Sequence, residues 1–291
     1  LYFFLHFATI YEKTKRIESI YISINPSVGT PDWNSKTETL SAGGKNMIQI
    51  VKVKDYATLS KKAAMYIAAE IVQREKPVLG LATGSTPVGT YQVLREMYQE
   101  GKLDFTAVRS VNLDEYRGLS PEDSHSYRYF MNQELFHHVN IAKENTHVPD
   151  GSLSDAQEAC ESYERLIQSL GGIHLQILGL GHDGHIGFNE PSDSFPAKTH
   201  CVQLTEETIS ANQRFFNSKD EVPREAYTMG IGTIMQAEKI LLLVSGRDKA
   251  AILKKVLEGP VSPEVPASIL QFHKNVILIA DEDALSKCSS V

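Results

Sequence analysis

The residues best suited to chemistry stand together between Gly179 and Pro191, where the chain reads G-L-G-H-D-G-H-I-G-F-N-E-P. Asp183 precedes His185 by two positions and Glu190 follows it by five. Carboxylates so placed can orient an imidazole and set its proton affinity, which makes a proton carrier that works near neutral pH. Gly179, Gly181, Gly184 and Gly187 are interleaved with them, and glycine lets a backbone turn tightly and come close to a bound molecule. The same string also reads as a polar loop with glycine turns. His182, Asp183 and His185 invite comparison with metal ligands, but their spacing matches none of the zinc patterns and no cysteine is near. We expect no metal and no cofactor.

Four further segments carry chemistry-bearing side chains. Asp114 closes the apolar stretch Val108 to Leu113. A carboxylate there is placed to take a proton from a carbon next to a carbonyl or imine, and an aspartate there also reads as a cap. Glu115 is the alternative base. Neighbours on an extended chain point to opposite sides, so one of the two should face a site. Thr83-Gly84-Ser85-Thr86-Pro87 joins an apolar run to a helical one. The N–H groups and hydroxyls of Gly84, Ser85 and Thr86 would attract an anion. No Gly-Lys-Ser/Thr follows and there is no GxGxxG, so a single phosphate fits better than a nucleotide, and a plain capped helix start fits as well. Arg214, in N-Q-R-F-F, and Lys249, in S-G-R-D-K, could add charge-assisted bonds to a phosphate; each alone also reads as a surface charge.

These side chains need elements to hold them. Short apolar runs at Pro77 to Ala82, Val108 to Leu113, Leu175 to Leu180, Ile240 to Val244 and Asn275 to Ala280 are expected strands, and Met47 to Val53 alternates like one. Between them, apolar residues recur at helical spacing, as in Leu59, Ala63, Tyr66, Ile67 and Ile71; helices are also expected over 88–100, 126–138, 156–170, 206–216 and 247–257. Strands alternating with amphipathic helices imply an α/β fold, a doubly wound and mostly parallel sheet with helices on both faces. In such sheets ligands bind beyond the carboxyl ends of the strands. Thr83 to Thr86, Asp114 to Tyr116, His182 to Glu190 and Ser245 to Lys249 each follow an expected strand, so four strand ends should converge on one site.

Of the 291 residues, 42% are hydrophobic and 22% charged, enough for a sizeable core. A net charge of −7 and the lack of any basic run exclude a nucleic-acid partner as an expectation. Cys160, Cys201 and Cys288 are widely separated, which points to a reducing, cytoplasmic setting. No apolar run reaches the ~20 residues a membrane span needs. Residues 1–46 differ from the rest: Asn25 to Asn46 is rich in Ser, Thr, Pro, Gly and Asn and reads as unstructured. We expect Met47 to be the natural start, residues 1–46 a disordered leader or upstream sequence, and 47–291 a single α/β domain.

Together, Ala82 to Pro87, Asn112 to Tyr116, Gly179 to Pro191, Asn212 to Phe216 and Ser245 to Lys249 resemble the glucosamine-6-phosphate deaminase family, from about Met47 to about Asp283. The resemblance implies a modified Rossmann-like fold and a metal-free conversion of glucosamine 6-phosphate and water to fructose 6-phosphate and ammonia, in amino-sugar catabolism. It makes Asp114 the base that moves a proton from C2 to C1, and His185 the residue that opens the sugar ring. Asp183 and Glu190 become the carboxylates that hold and polarise His185. Gly84, Ser85, Thr86, Arg214 and Lys249 become the phosphate site, with the helix around Arg214 a mobile lid. Regulated hexameric members use a Ser, an Arg and a Lys where this chain has Asp193, His200 and Val202, so a monomer or small homo-oligomer without that regulation is expected. Sugar-phosphate lactonases of the same fold share the D-G-H core but usually lack the F-N-E-P that follows. A binding regulator on this fold would more often carry a DNA-binding module and lose the catalytic acid and histidine.

Overall fold

The short apolar strands have no polar face to show water, so they assemble into one sheet buried on both sides. The computed structural model describes residues 38–41, 47–213, 216, 218 and 221–289. The strands are β1 (Glu38–Ser41), β2 (Met47–Val53), β3 (Val78–Leu81), β4 (Arg109–Asn112), β5 (Asp114–Tyr116), β6 (Thr146–His147), β7 (Leu175–Leu178), β8 (His200–Gln203), β9 (Glu225–Thr228), β10 (Lys239–Val244) and β11 (Val276–Asp281). The helices are α1 (Tyr56–Gln73), α2 (Ser85–Gln99), α3 (Tyr127–Glu134), α4 (Ala156–Ser169), α5 (Glu206–Asn212), α6 (Ile231–Met235), α7 (Ala250–Glu258) and α8 (Glu282–Leu285). The main sheet runs β1-β2-β11-β10-β7-β3-β4-β6. All its pairs are parallel except β1 with β2.

Alternation along the strands sends side chains to two cores. Leu79, Leu81, Leu175, Ile177, Leu241 and Leu243 pack with Leu59 and Ile67 of α1, Leu94 of α2 and Met131 of α3. Val111, Leu178, Leu242 and Leu278 face the other way, against Tyr163 of α4, Ile234 of α6 and Leu253 of α7. This is the expected doubly wound arrangement, with helices on both faces.

The structure departs from the sequence expectations in three places that matter. β1 falls inside the stretch expected to be unstructured and pairs with the edge of β2; the rest of residues 1–46 lies outside the described residues. Asp114 does not end β4. Leu113 still donates its N–H to Leu81 O, but its own carbonyl accepts from Met229 N at 2.7 Å. The chain thereby changes partners, and Asp114 opens β5 in a second, antiparallel sheet of order β5-β9-β8. Finally, the helix expected from Arg247 begins as a 3₁₀ turn, Arg247–Lys249, and becomes α-helical only at Ala250.

Because β10, β7, β3 and β4 are neighbours and parallel, the loops that follow them leave the same edge. Two buried phenols fix where strands stop. Tyr91 donates to Ala82 O at 2.6 Å, just past β3, and Tyr163 donates to Asn112 O at 2.7 Å, the last residue of β4. Each satisfies a carbonyl that would otherwise be stranded as its strand gives way to a loop.

Candidate active site

The glycine-rich loop after β7 meets the segments of Thr86, Asp114 and Lys249, and its glycines show where. A Cβ on Gly179 would stand 4.0 Å from Thr86 Oγ1, at the start of α2. A Cβ on Gly181 would fall 2.4 Å from the His185 ring, so only glycine lets the imidazole fold back over its own loop. Gly187, at φ 59°, faces Asp114, whose Oδ2 lies 3.5 Å from where its Cβ would be. His182 Nε2 sits 2.8 Å from Asp248 Oδ2 in the loop after β10. One loop thus aligns Thr86, His185 and Asp114 in order along its length.

His185 Nδ1 lies 2.7 Å from Asp183 Oδ1, a close contact between ring and carboxylate. The same oxygen accepts the His185 backbone N–H at 3.0 Å. Burial works to raise the Asp183 carboxyl, but the His185 ring and backbone N–H groups outweigh it and hold the group below its ordinary value. Asp183 is therefore an anion at neutral pH.

Glu190 is arranged differently from expectation. Its Oε1 accepts from Thr205 Oγ1 at 3.0 Å and from Thr208 Oγ1. Its hydrogen bonds run to these hydroxyls and not to His185. The acid–His–acid set read from the sequence is half assembled here: Asp183 meets His185, while two threonines at the start of α5, both missed in the sequence, offer donors to the second carboxylate. Thr205 also caps α5, accepting from Thr208 N, an N-cap signal a sequence can show.

Asp114 and Glu115 are both nearly inaccessible, at 6% and 2% exposure. Burial, with the Glu115 charge adding to it, pushes the Asp114 carboxyl up to about 8. Burial likewise raises Glu115, to about 7, against hydrogen bonds that favour its charged form. Asp114 pairs with Thr228 across to β9, and Thr228 Oγ1 accepts the Phe188 N–H at 3.0 Å. That bond ties β9, the partner of the strand that bears Asp114, to the glycine loop. An aromatic wall of Tyr116, Tyr127 and Phe188 stands beside it, with ring centroids 4.9 to 6.0 Å apart. Phe216, beyond α5, closes on Tyr116 at 5.9 Å and stacks on His125 at 4.4 Å.

At the other end of the loop, α2 starts at Ser85 with Gly84 as its N-cap and no side-chain cap. Its first N–H groups are thus left without a capping oxygen, the arrangement an anion fills. Tyr56 braces this end, donating to Ser85 O at 3.0 Å and Thr86 O at 3.1 Å and accepting from Gly89 N at 2.9 Å. Lys249 closes the 3₁₀ turn after β10. Asp281, at the end of β11, holds that loop by accepting from Ser245 Oγ at 2.5 Å and Gly246 N at 3.0 Å. Neither Tyr56 nor Asp281 was legible beforehand, since each acts from a distant element. Arg214 lies outside the described residues. Among the described residues no His, Cys, Asp and Glu cluster could hold a metal ion, and no helix is long and apolar enough to cross a membrane.

A parallel sheet whose strand ends gather an uncapped helix start, a lysine and an aspartate–imidazole pair, beside a buried aspartate on a second sheet, fits an α/β enzyme that acts on sugar phosphates. The chain belongs to the glucosamine-6-phosphate isomerase/6-phosphogluconolactonase family, whose profile matches residues 54–278. It is 54% identical over 232 residues to glucosamine-6-phosphate deaminase of Lachnoclostridium phytofermentans, covering 80% of this chain and 98% of that one. The corresponding deaminase of Clostridium perfringens is 52% identical over 237 residues, covering 81% and 98%. Among solved structures, a monomeric glucosamine-6-phosphate deaminase superposes with a TM-score of 0.80 at 44% identity, over 82% of this chain and 99% of that one. The 6-phosphogluconolactonase of Thermotoga maritima, at TM-score 0.63 and 22% identity over 80% and 99%, shares the fold.

Proposed function

We infer that this chain converts glucosamine 6-phosphate and water to fructose 6-phosphate and ammonia. The observation that carries the reading is the spacing of two proton carriers along one loop: His185 with Asp183 at Gly181, and Asp114 at Gly187. A ring opening and a carbon-to-carbon transfer have different geometries and call for two such groups. The near full-length identity to deaminases supports it.

In this mechanism the phosphate rests on the start of α2, at Gly84, Ser85 and Thr86, with Lys249 and Arg214 adding charge. His185, kept in place by Asp183, takes the proton of the C1 hydroxyl and delivers it to the ring oxygen, leaving an open-chain aldehyde. Asp114, ionised, takes the proton from C2 and returns it to C1 while a proton passes from the C2 amine to the C1 oxygen, which leaves a C1 hydroxyl and a C2 imine. Water adds at C2 and ammonia departs, giving the ketose. Glu190 joins His185 when it exchanges its bonds to Thr205 and Thr208, so movement of α5 and use of that carboxylate are linked. We also propose that the chain works as a monomer, as its solved relative does.

The test is ammonia release from glucosamine 6-phosphate, with its N-acetyl form, mannosamine 6-phosphate and 6-phosphogluconolactone as comparators. Ammonia and fructose 6-phosphate in equal amounts, from glucosamine 6-phosphate alone, are expected. Acid from the lactone without ammonia from the amino sugar would assign the site to lactone hydrolysis instead.

A further inference from the structure

We propose that Glu115 is a positioning residue for Asp114: its buried carboxylate, seated on three backbone N–H groups, locks β5 to the start of α3 so that the neighbouring aspartate stays aimed at Gly187. The inference rests on Asp114 being the base. Glu115 Oε1 accepts from Tyr116 N at 2.8 Å and Tyr127 N at 2.9 Å, and Oε2 accepts from Arg128 N at 2.9 Å. Tyr127 and Arg128 open α3, whose other first-turn N–H, that of Tyr129, is taken by Ser126. The carboxylate therefore closes the whole loop between β5 and α3 with a single side chain. Gly151 packs on it from behind, so closely that a Cβ there would stand 3.1 Å from Glu115 Cγ.

No cation is bonded to Glu115, although the Arg128 charge favours its anion from a distance. Its hydrogen bonds come from neutral backbone groups, while the nearest cation, the Arg128 guanidinium, turns away to Thr146, at 2.9 Å from Oγ1 and 2.8 Å from the carbonyl. The other titratable groups facing the pair are the phenols of Tyr116 on β5, Tyr127 on α3 and Tyr163 on α4, all neutral at physiological pH because burial raises each. With no cation bonded to it, the Glu115 charge acts on Asp114 one residue away, and like charge disfavours ionisation. Glu115 would then serve twice, fixing the direction of Asp114 and keeping it a strong enough base to take a proton from carbon.

Glu115→Gln removes the charge and sets an amide N–H₂ against a backbone N–H, with Asp114→Asn as the reference. Circular dichroism establishes that the variant is folded. Expected for Glu115→Gln is an acid limb of kcat/KM moved to lower pH by about one unit, yet still above the ordinary carboxylate range because burial remains. The plateau kcat should fall about tenfold, with KM held within about threefold, as misdirection of a reacting group predicts. An unmoved limb with wild-type kcat, beside an inactive Asp114→Asn, would overturn the positioning role alone. An active Asp114→Asn would overturn the base assignment and the positioning role with it. Should Glu115→Gln fail to fold, ¹³C-carboxyl titration of the wild-type protein decides. Two coupled steps above the usual carboxylate range are expected, and independent titration of both groups near 4 would refute the inference.

Discussion

Asp114 carries two consequences that follow from one fact, its burial beside a second carboxylate. As the proposed base it must ionise to act. Asp114→Asn keeps the shape and removes the basic oxygen, so turnover should drop by roughly 10²–10⁴-fold with little change in substrate affinity. The same substitution should alter stability with a definite sign. The folded-state value, about 8, lies above the unfolded one, so between them the folded chain binds more protons than the unfolded chain. The contribution of Asp114 is then largest in acid and is lost as pH rises through about 8. Asp114→Asn should therefore gain on the wild type as pH rises. Urea unfolding at pH 5 and pH 9 should show the difference widening by at least about 1.4 kcal/mol, the worth of one pKa unit. A difference that does not change with pH would mean that Asp114 titrates as an exposed carboxylate does.

At the scale of elements, the glycine loop after β7 acts as the frame against which β5, α2 and the loop after β10 are registered. Gly187 lies at φ 59°, with its Cβ position 3.0 Å from Thr228 Oγ1 and 3.5 Å from Asp114 Oδ2. Gly187→Ala should cost about 1–2 kcal/mol in thermal or urea unfolding, the usual penalty of a left-handed backbone for a residue with a Cβ. It should also push on Thr228, which bonds Phe188 and pairs with Asp114. We expect kcat to fall tenfold or more while KM moves less than about threefold, since the displaced group is the base and not the phosphate end. A variant that loses stability but keeps kcat would show that the loop does not set the direction of Asp114.

At the scale of the whole molecule, the prediction concerns assembly and control. The family resemblance aligns Asp193, His200 and Val202 with a Ser, an Arg and a Lys that hold the phosphate of N-acetylglucosamine 6-phosphate in regulated hexamers. Here burial lowers the His200 imidazole, against a carbonyl contact to Lys198 that raises it, so it is neutral at pH 7. Asp193 adds an anion and Val202 offers no donor, a poor combination for a phosphate dianion. Saturation with glucosamine 6-phosphate should be hyperbolic and unchanged by the N-acetyl sugar phosphate, and sedimentation should give the mass of one chain. A sigmoidal curve straightened by that ligand, or a six-chain mass, would refute this.

How much of this was legible beforehand follows from the range of the forces involved. Local patterns carried far: the apolar runs and helical spacings specify a parallel α/β sheet, and the polar segments after those runs mark one edge as the site, because burial on two faces and strand polarity are consequences of composition and chain direction. Asp114, Asp183, His185 and Glu190 were visible as residue types at telling positions. Their partners were decided by tertiary structure. The transfer of Leu113 from β3 to β9, which makes Asp114 the start of a second sheet, depends on a strand more than a hundred residues later. The engagement of Glu190 by Thr205 and Thr208, the bracing of Ser85 and Thr86 by Tyr56, and the hold of Asp281 on Gly246 are likewise contacts between distant elements. The proton affinities of Asp114 and Glu115 belong to this second group as well, since two adjacent acids on a loop would be ordinary carboxylates. Removal from water, which only the packed fold achieves, raises both.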